Sequence, residues 1–344
     1  MVTATKLLCS CFSATVRFRS SSPTITVLSS IDRFSSHILF QSSPLRLHQL
    51  THTESLSISV SGSSSPSPMT DCLPPPMKIL ESKWRPMCLY HTQGKCTMID
   101  NAEHLAKFNH DISKDLEVSG DTVLQNQCSS PDLDRLLVLD LEGKVEILEF
   151  PVCMIDAKTM TFIDSFHRFV RPVRMSERRV NEYINGKYGK LGIDRVWHDT
   201  AIPFKEVICE FETWLASHNL WNEKDGGTLN QAAFVTCGNW DLKTKVPQQC
   251  KDSCIKSPPY FSEWINLKDV FVNFYKIRAR GMRSMMTELG ISLLGSHHLG
   301  IDDSKNITRV LQRMIADGSP LQITARRSSS GLDNVEFLLE NRIK

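Results

Sequence analysis

Asp140 and Glu142 close the apolar run Leu-Leu-Val-Leu-Asp-Leu-Glu. They stand two residues apart, so on a strand both side chains leave the same face. A carboxylate pair in that position is costly to bury uncompensated. Asp241 ends a second apolar run, Ala-Ala-Phe-Val-Thr-Cys-Gly-Asn-Trp-Asp. Asp303 opens a helix, and His298 precedes it by five positions on a glycine-flanked loop. Four carboxylates at the ends of core elements suit a two-metal site, in which oxygen ligands hold two Mg²⁺ or Mn²⁺ ions roughly 3.5–4 Å apart. Such a site generates hydroxide at one ion and stabilises a departing 3′ oxygen at the other. A histidine on a movable loop can take the proton of the attacking water. Each residue alone also has a plainer reading. Asp302 and Asp303 could be first-turn helix acids favoured by the dipole. Asp140 and Glu142 could pair with Lys or Arg, Asp241 could be a turn residue, and His298 could be an ordinary loop histidine beside His297. The joint order is what carries the chemistry.

The elements that must position these residues can be read from periodicity. Residues 133–142 form a buried strand, followed by two more strands in a meander over 144–156 and 162–172. Phe204, Val207, Ile208, Phe211, Trp214 and Leu215 recur at helical spacing. A short strand precedes Asp241, and residues 264–276 read as strand then helix. A helix closes at Gly290, and another closes at Gly318 with Ile307, Val310, Leu311 and Met314 on one face. Strands first, then alternating helix and strand, predict an α/β domain with a mixed central sheet flanked by helices.

The rest of the 344 residues is organised around that domain. Residues 1–70 hold nineteen serines, five basic residues and two acids, the composition of a cleavable organellar transit peptide. Serine dominating over arginine points to the chloroplast, with mitochondrion or cytoplasm as alternatives. Residues 71–83 are a Pro-rich linker and 112–132 a polar one; 326–344 reads as a C-terminal tail. Between the linkers, residues 84–111 carry Cys88, Cys96, His104 and His110, which could hold one Zn²⁺ in a Cys2His2 site peripheral to catalysis. The alternative is a linker with incidental Cys and His. Eleven scattered cysteines, an odd number, argue against a secreted disulfide framework. A net charge of +2 leaves nucleic-acid binding to local patches. Arg278, Arg280 and Arg283 could track phosphates, and Trp240 could stack on a base. Lys305, Arg309 and Arg313 read more plainly as a solvated helix face. No run of eighteen apolar residues exists, so no membrane helix is expected.

The order Asp140-x-Glu142, Asp241, His298-x4-Asp303 resembles the DEDDh 3′→5′ exonucleases of the RNase H-like superfamily. Residues 146–152, 169–172, 238–241, 258–276 and 297–314 are similar to its enhanced-RNAi exoribonuclease branch. The resemblance covers about residues 133–325. It implies an RNase H-like exonuclease fold, Asp140, Glu142, Asp241 and Asp303 as metal ligands, and His298 as general base. It also implies a substrate with a single-stranded RNA 3′ end, such as a ribosomal RNA precursor or a small RNA. The serine-rich leader fits a plant, plastid-targeted member. Leu299 in place of a tyrosine excludes the sister DEDDy arrangement. Only Gly143 and Lys144 separate the first motif from the next strand, where animal members carry a longer segment. A DNA exonuclease of the same fold and a non-catalytic RNA-binding scaffold are the rival functions.

Overall fold

The computed structural model describes residues 84–117, 133–328 and 334–342. The expected transit peptide (1–70), the Pro-rich linker (71–83) and residues 118–132 of the second linker lie outside the described residues. A 3-10 turn (His91–Gln93) and helix α1 (Ala102–Lys107) come first. Strands β1 (Arg135–Leu139), β2 (Glu149–Asp156) and β3 (Phe162–Arg171) follow, then helices α2 (Glu177–Lys187) and α3 (Asp194–Thr200). The two-residue strand β4 (Ile202–Pro203) leads into α4 (Phe204–Ser217) and β5 (Ala232–Thr236). A π-helical turn (Asp241–Lys245) runs into α5 (Val246–Asp252), before β6 (Glu263–Asn266) and helices α6 (Leu267–Tyr275), α7 (Met282–Glu288) and α8 (Gly300–Ala316). Strands β7 (Ala325–Arg327) and β8 (Val335–Phe337) end the described chain.

One eight-stranded sheet has the order β4-β3-β2-β1-β5-β6-β7-β8. The meander β1-β2-β3 is antiparallel, and β5 and β6 run parallel to β1. The central strand β1 is apolar at successive positions because both its faces are covered. Leu136 and Val138 pack with Ile184, Trp197, Phe271, Met285, Val310 and Leu311 from the helices of one face. Leu137 and Leu139 pack with Phe204, Val207, Phe211 and Val246 on the other. The mixed α/β sheet expected from the sequence is therefore present. Residues 173–203, outside the elements expected from sequence, hold α2, α3 and β4.

Four expectations change. The first six residues of the second linker fold instead, with Ile112 and Leu116 buried in the β1 core. Residues 84–111 do not stand apart either, since Met87 and Leu89 share that core. The assumed tail 326–344 extends the sheet, because β7 pairs with β6 and β8 with β7. These strands are short and polar, so no alternating apolar pattern announced them. Lys305 is not on a solvated face; it is fully buried between Asp115 and Asp302, each at 2.9 Å. The Lys305 side of α8 is covered by the chain segment around Leu116, to which Gln312 donates at 2.9 Å, while Arg313 stays exposed. Burial works against the Lys305 ammonium, yet the two aspartates hold its pKa above the ordinary lysine value.

The Lys305 triad gives a direct test of this packing. Lys305→Ala leaves two buried carboxylates facing each other, and unfolding in denaturant should show a loss of about 3–5 kcal/mol, typical of one partner removed from a buried ion pair. A change within about 0.5 kcal/mol, as for a solvated surface position, would contradict it.

Candidate active site

The carboxylates gather at the C-terminal edge of β1. Asp140 and Glu142 follow that strand directly, and the backbone of Glu142 pairs with Glu149 at the start of β2. Asp241 opens the π-helical turn after β5, and its Oδ1 accepts the N–H of Leu141 at 3.0 Å. Asp303 sits in the first turn of α8. Asp140, Glu142 and Asp303 each bring a carboxylate oxygen within 4.8 Å of the others. Asp241 is turned toward the Leu141 amide, but its charge still raises the pKa of Asp140.

Two glycines let α8 reach this place. Gly300 begins the helix, and a Cβ there would come within 2.9 Å of the Pro151 ring and 3.0 Å of the Asp140 carbonyl. Gly295 has φ +75°, and its Cβ would collide with the Asp302 carboxylate at 2.2 Å. That carboxylate accepts the Ser296 N–H at 2.8 Å and so folds the loop back on the helix. His297 and His298 ride on the loop as a stacked pair, with ring centroids 3.9 Å apart. His297 Nδ1 lies 3.0 Å from Asp303, whereas His298 gives Asp303 only its backbone N–H, at 2.7 Å. The His298 side chain is 73% exposed, has φ +70°, and holds Nδ1 at 4.0 Å from Glu142. A solvent-facing ring beside the carboxylates can receive a proton from water; the ring of His297 is committed to Asp303.

The acids are poorly neutralised by the protein. Burial, and then Asp241, Asp303, Glu142 and Glu149, push Asp140 well above the usual carboxylate range. Burial pushes Glu142 up to about 7 although Lys187 pairs with it. Burial likewise raises Asp303 to about 7 and Asp241 to about 6. Crowded carboxylates that retain protons near neutral pH are hard oxygen donors short of positive charge, which fits divalent cations.

Sequence reasoning missed the groups that support this cluster. Glu149 is fully buried beside the acids. Burial disfavours its charge, yet His167 and the Gly300 N–H hold its pKa below the ordinary value. His167 Nε2 is 3.2 Å from Glu149 Oε1. The same carboxylate accepts the Ile301 N–H at 2.9 Å and the Tyr188 hydroxyl at 3.0 Å. A glutamate inside the apolar run Ile-Leu-Glu-Phe-Pro-Val was the available signal. Lys187, on α2, was also missed.

Beside Glu142 and His298 opens a cleft of about 520 Å³ lined by Lys144, Tyr183, Lys187 and Lys190. Trp240 is exposed next to Asp241, with the Lys245 ammonium over its ring. Arg278, Arg280 and Arg283 are exposed, and Arg283 is near enough to disfavour protonation of His297. Cys88, Cys96, His104 and His110 converge in a second cluster.

The raised carboxyl pKa values carry a sign. Those of Glu142, Asp303 and Asp241 lie near 6–7 in the folded chain and about 4 unfolded, so between those values the metal-free native state binds more protons. This part of its stability therefore falls as pH rises from about 4 to 7. A divalent cation needs the ionised forms. The rise in melting temperature on adding saturating Mg²⁺ should be small near pH 5.5 and grow toward pH 8, and Asp303→Asn should remove most of it. A Mg²⁺ effect that does not depend on pH would contradict the assignment.

Comparison with known proteins places this geometry. The exonuclease (RNase T) family profile matches residues 115–311. An exonuclease domain-containing protein of Arabidopsis thaliana is 63% identical over 263 residues, covering 76% of this chain and 77% of that one. Human 3′-5′ exoribonuclease 1 is 33% identical over 219 residues, covering 60% of this chain and 59% of that protein. A solved 3′-exonuclease recognising the 3′ end of a histone mRNA stem-loop aligns with a TM-score of 0.51 at 27% identity, over 64% of this chain and 75% of that chain. The matched span runs from Asp115, paired with buried Lys305, to Leu311 in the helix that carries Asp303, and it takes in more than half of the chain. The chain thus belongs to the exonuclease family, with an RNase H-like fold and the hydrolytic nuclease chemistry that goes with it.

Proposed function

We propose that this chain is a divalent-metal-dependent 3′→5′ exoribonuclease that shortens RNA from a single-stranded 3′ end and releases nucleoside 5′-monophosphates. The observation that carries the reading is the under-neutralised set Asp140, Glu142, Asp241 and Asp303 beside a lysine-lined cleft. Relatives named as 3′-5′ exoribonucleases support the polarity and the preference for RNA. An intact acid set argues against a non-catalytic scaffold.

These four residues would hold two Mg²⁺ ions, with Mn²⁺ as a substitute. When bound, the ions would supply an ionised water and offset charge on the leaving oxygen. The chain's own groups do the rest. Lys144, Lys187 and Lys190 line the cleft where the terminal phosphate would lie. Partial desolvation, then His297, Lys187 and Lys144, keep His298 below the ordinary histidine value, so its ring is neutral at pH 7 and able to accept a proton. A water oxygen bonds to phosphorus, its proton passes to His298, and the bond from phosphorus to the 3′ oxygen of the preceding nucleotide breaks. That oxygen leaves with a proton from solvent as the new 3′ hydroxyl. Trp240 and the arginines Arg278, Arg280 and Arg283 would receive the bases and backbone of the incoming strand. The composition of residues 1–70 supports a plastid address, and with it an organellar RNA such as a ribosomal RNA precursor as substrate.

Purified chain incubated with 5′-labelled single-stranded RNA and Mg²⁺ should yield a ladder shortened from the 3′ end, and none with chelator. Asp303→Asn should lose nearly all activity. His298→Ala should retain metal and RNA binding but turn over roughly 10²–10⁴-fold more slowly, recovering in part as hydroxide rises with pH. Faster cleavage of the matching DNA would replace the ribonuclease reading with the deoxyribonuclease one. Full activity in both variants would end the exonuclease proposal.

A further inference from the structure

Cys88, Cys96, His104 and His110 take no part in the chemistry above, yet one ligand atom from each lies within 4.8 Å of all the others. Cys96 Sγ is 3.6 Å from His104 Nε2 and 3.9 Å from His110 Nε2, and the two Nε2 atoms are 3.0 Å apart. A tetrahedral ion with bonds of about 2.0–2.1 Å to nitrogen and about 2.3 Å to sulfur would need edges of roughly 3.3–3.7 Å. These three edges lie within a few tenths of an ångström of that range. We infer that these four side chains form a structural Zn²⁺ site.

Backbone donors face both sulfurs. Cys88 sulfur receives the N–H groups of Tyr90 and His91, and Cys96 sulfur receives that of Met98 at 3.4 Å. Burial, opposed by those N–H groups, holds the Cys88 thiol above its ordinary value while no cation is bound. Two thiolates, two neutral imidazoles and one Zn²⁺ sum to zero charge, so the cluster can sit half-buried without a counter-ion. Soft sulfur with imidazole selects Zn²⁺ over the Mg²⁺ suited to the carboxylate site. The local fold also needs a cross-link. Helix α1 buries none of its residues, although it carries His104. What brings Cys88 to His110 is a pair of backbone bonds, Cys88 N–H to Asn109 O at 2.9 Å and Asn109 N–H to Pro86 O at 2.8 Å. So thin a hairpin holds its shape through a metal rather than through a core of its own.

The site is not peripheral. Its inner side clamps β3: Gln93 Oε1 accepts the Phe169 N–H at 3.2 Å, and Thr92 Oγ1 meets His167 Nδ1 at 2.7 Å. His167 in turn faces Glu149, which holds the first turn of α8. Loss of zinc should therefore weaken the catalytic edge as well as the hairpin.

Full-length chain purified in reducing buffer without chelator should carry one equivalent of zinc that survives exchange into Mg²⁺. A Cys88→Ser/Cys96→Ser double variant should lose it and melt several degrees lower. Co²⁺ in place of zinc should give intense visible bands with thiolate-to-metal charge transfer, which the carboxylate site cannot produce. If the double variant does not fold, His110→Cys should keep the metal and strengthen the charge-transfer band. Zinc-free wild type, zinc unchanged in the double variant, a Co²⁺ spectrum without charge transfer, or a Cys88–Cys96 disulfide in the purified protein would overturn the assignment.

Discussion

Mutual repulsion among buried carboxylates is the constraint on which this molecule turns. Asp140 and Glu142, Asp241, and Asp303 come from three separate places in the chain, and each is pushed toward its protonated form, by burial first. Folding alone would remove such a cluster, since an uncompensated buried charge is among the costlier features a core can hold. Its retention makes sense if cations from outside complete it. Local strain and permissive glycines follow from the same demand: the loop before α8 must turn tightly enough to set two histidines over the acids, and α8 must approach β1 and β2 closely enough that no side chain fits at position 300.

Two further charged networks keep those acids in place, and both draw their opposite charges from within the protein. Lys305 ties α8 to Asp115, outside the sheet, and to Asp302, which folds the histidine loop. Glu149 ties the backbone of the same helix turn to β2 and, through His167, to β3 and the Cys/His hairpin. The contrast is informative. Glu149 is more deeply buried than Asp140, yet it is held charged by a histidine and by amide N–H groups, while Asp140 is not. Burial does not decide a carboxylate's role here; the identity of its partners does.

Much of this was legible in the residues. The apolar strands with an acid at the end, and α8 with its periodic Ile307, Val310, Leu311 and Met314, showed both the sheet and the cluster, because buried elements leave continuous or periodic apolar patterns. The last two strands, β7 and β8, left no such pattern, being short and half-exposed. Lys305 misled for the opposite reason: a lysine at helical spacing looks solvated unless the segment that covers it is known, and Asp115 is 190 residues away in sequence. Glu149 and His167 depend on a cross-strand meeting that no local period encodes. The Cys/His hairpin showed its ligands by residue type but hid its docking, since only Met87, Leu89 and a few neighbours face the core.

The central claim is that the carboxylates hold protons near neutral pH because they await a divalent cation. Calorimetric titration of the full chain with Mn²⁺ in buffers of different ionisation heats counts the protons released on binding. Close to one proton or more should leave per chain near pH 6.5, and the number should fall toward zero above about pH 8.5, as groups titrating near 6–7 are already ionised there. Binding at pH 6.5 without proton release, or binding of unchanged strength in Asp303→Asn, would contradict it.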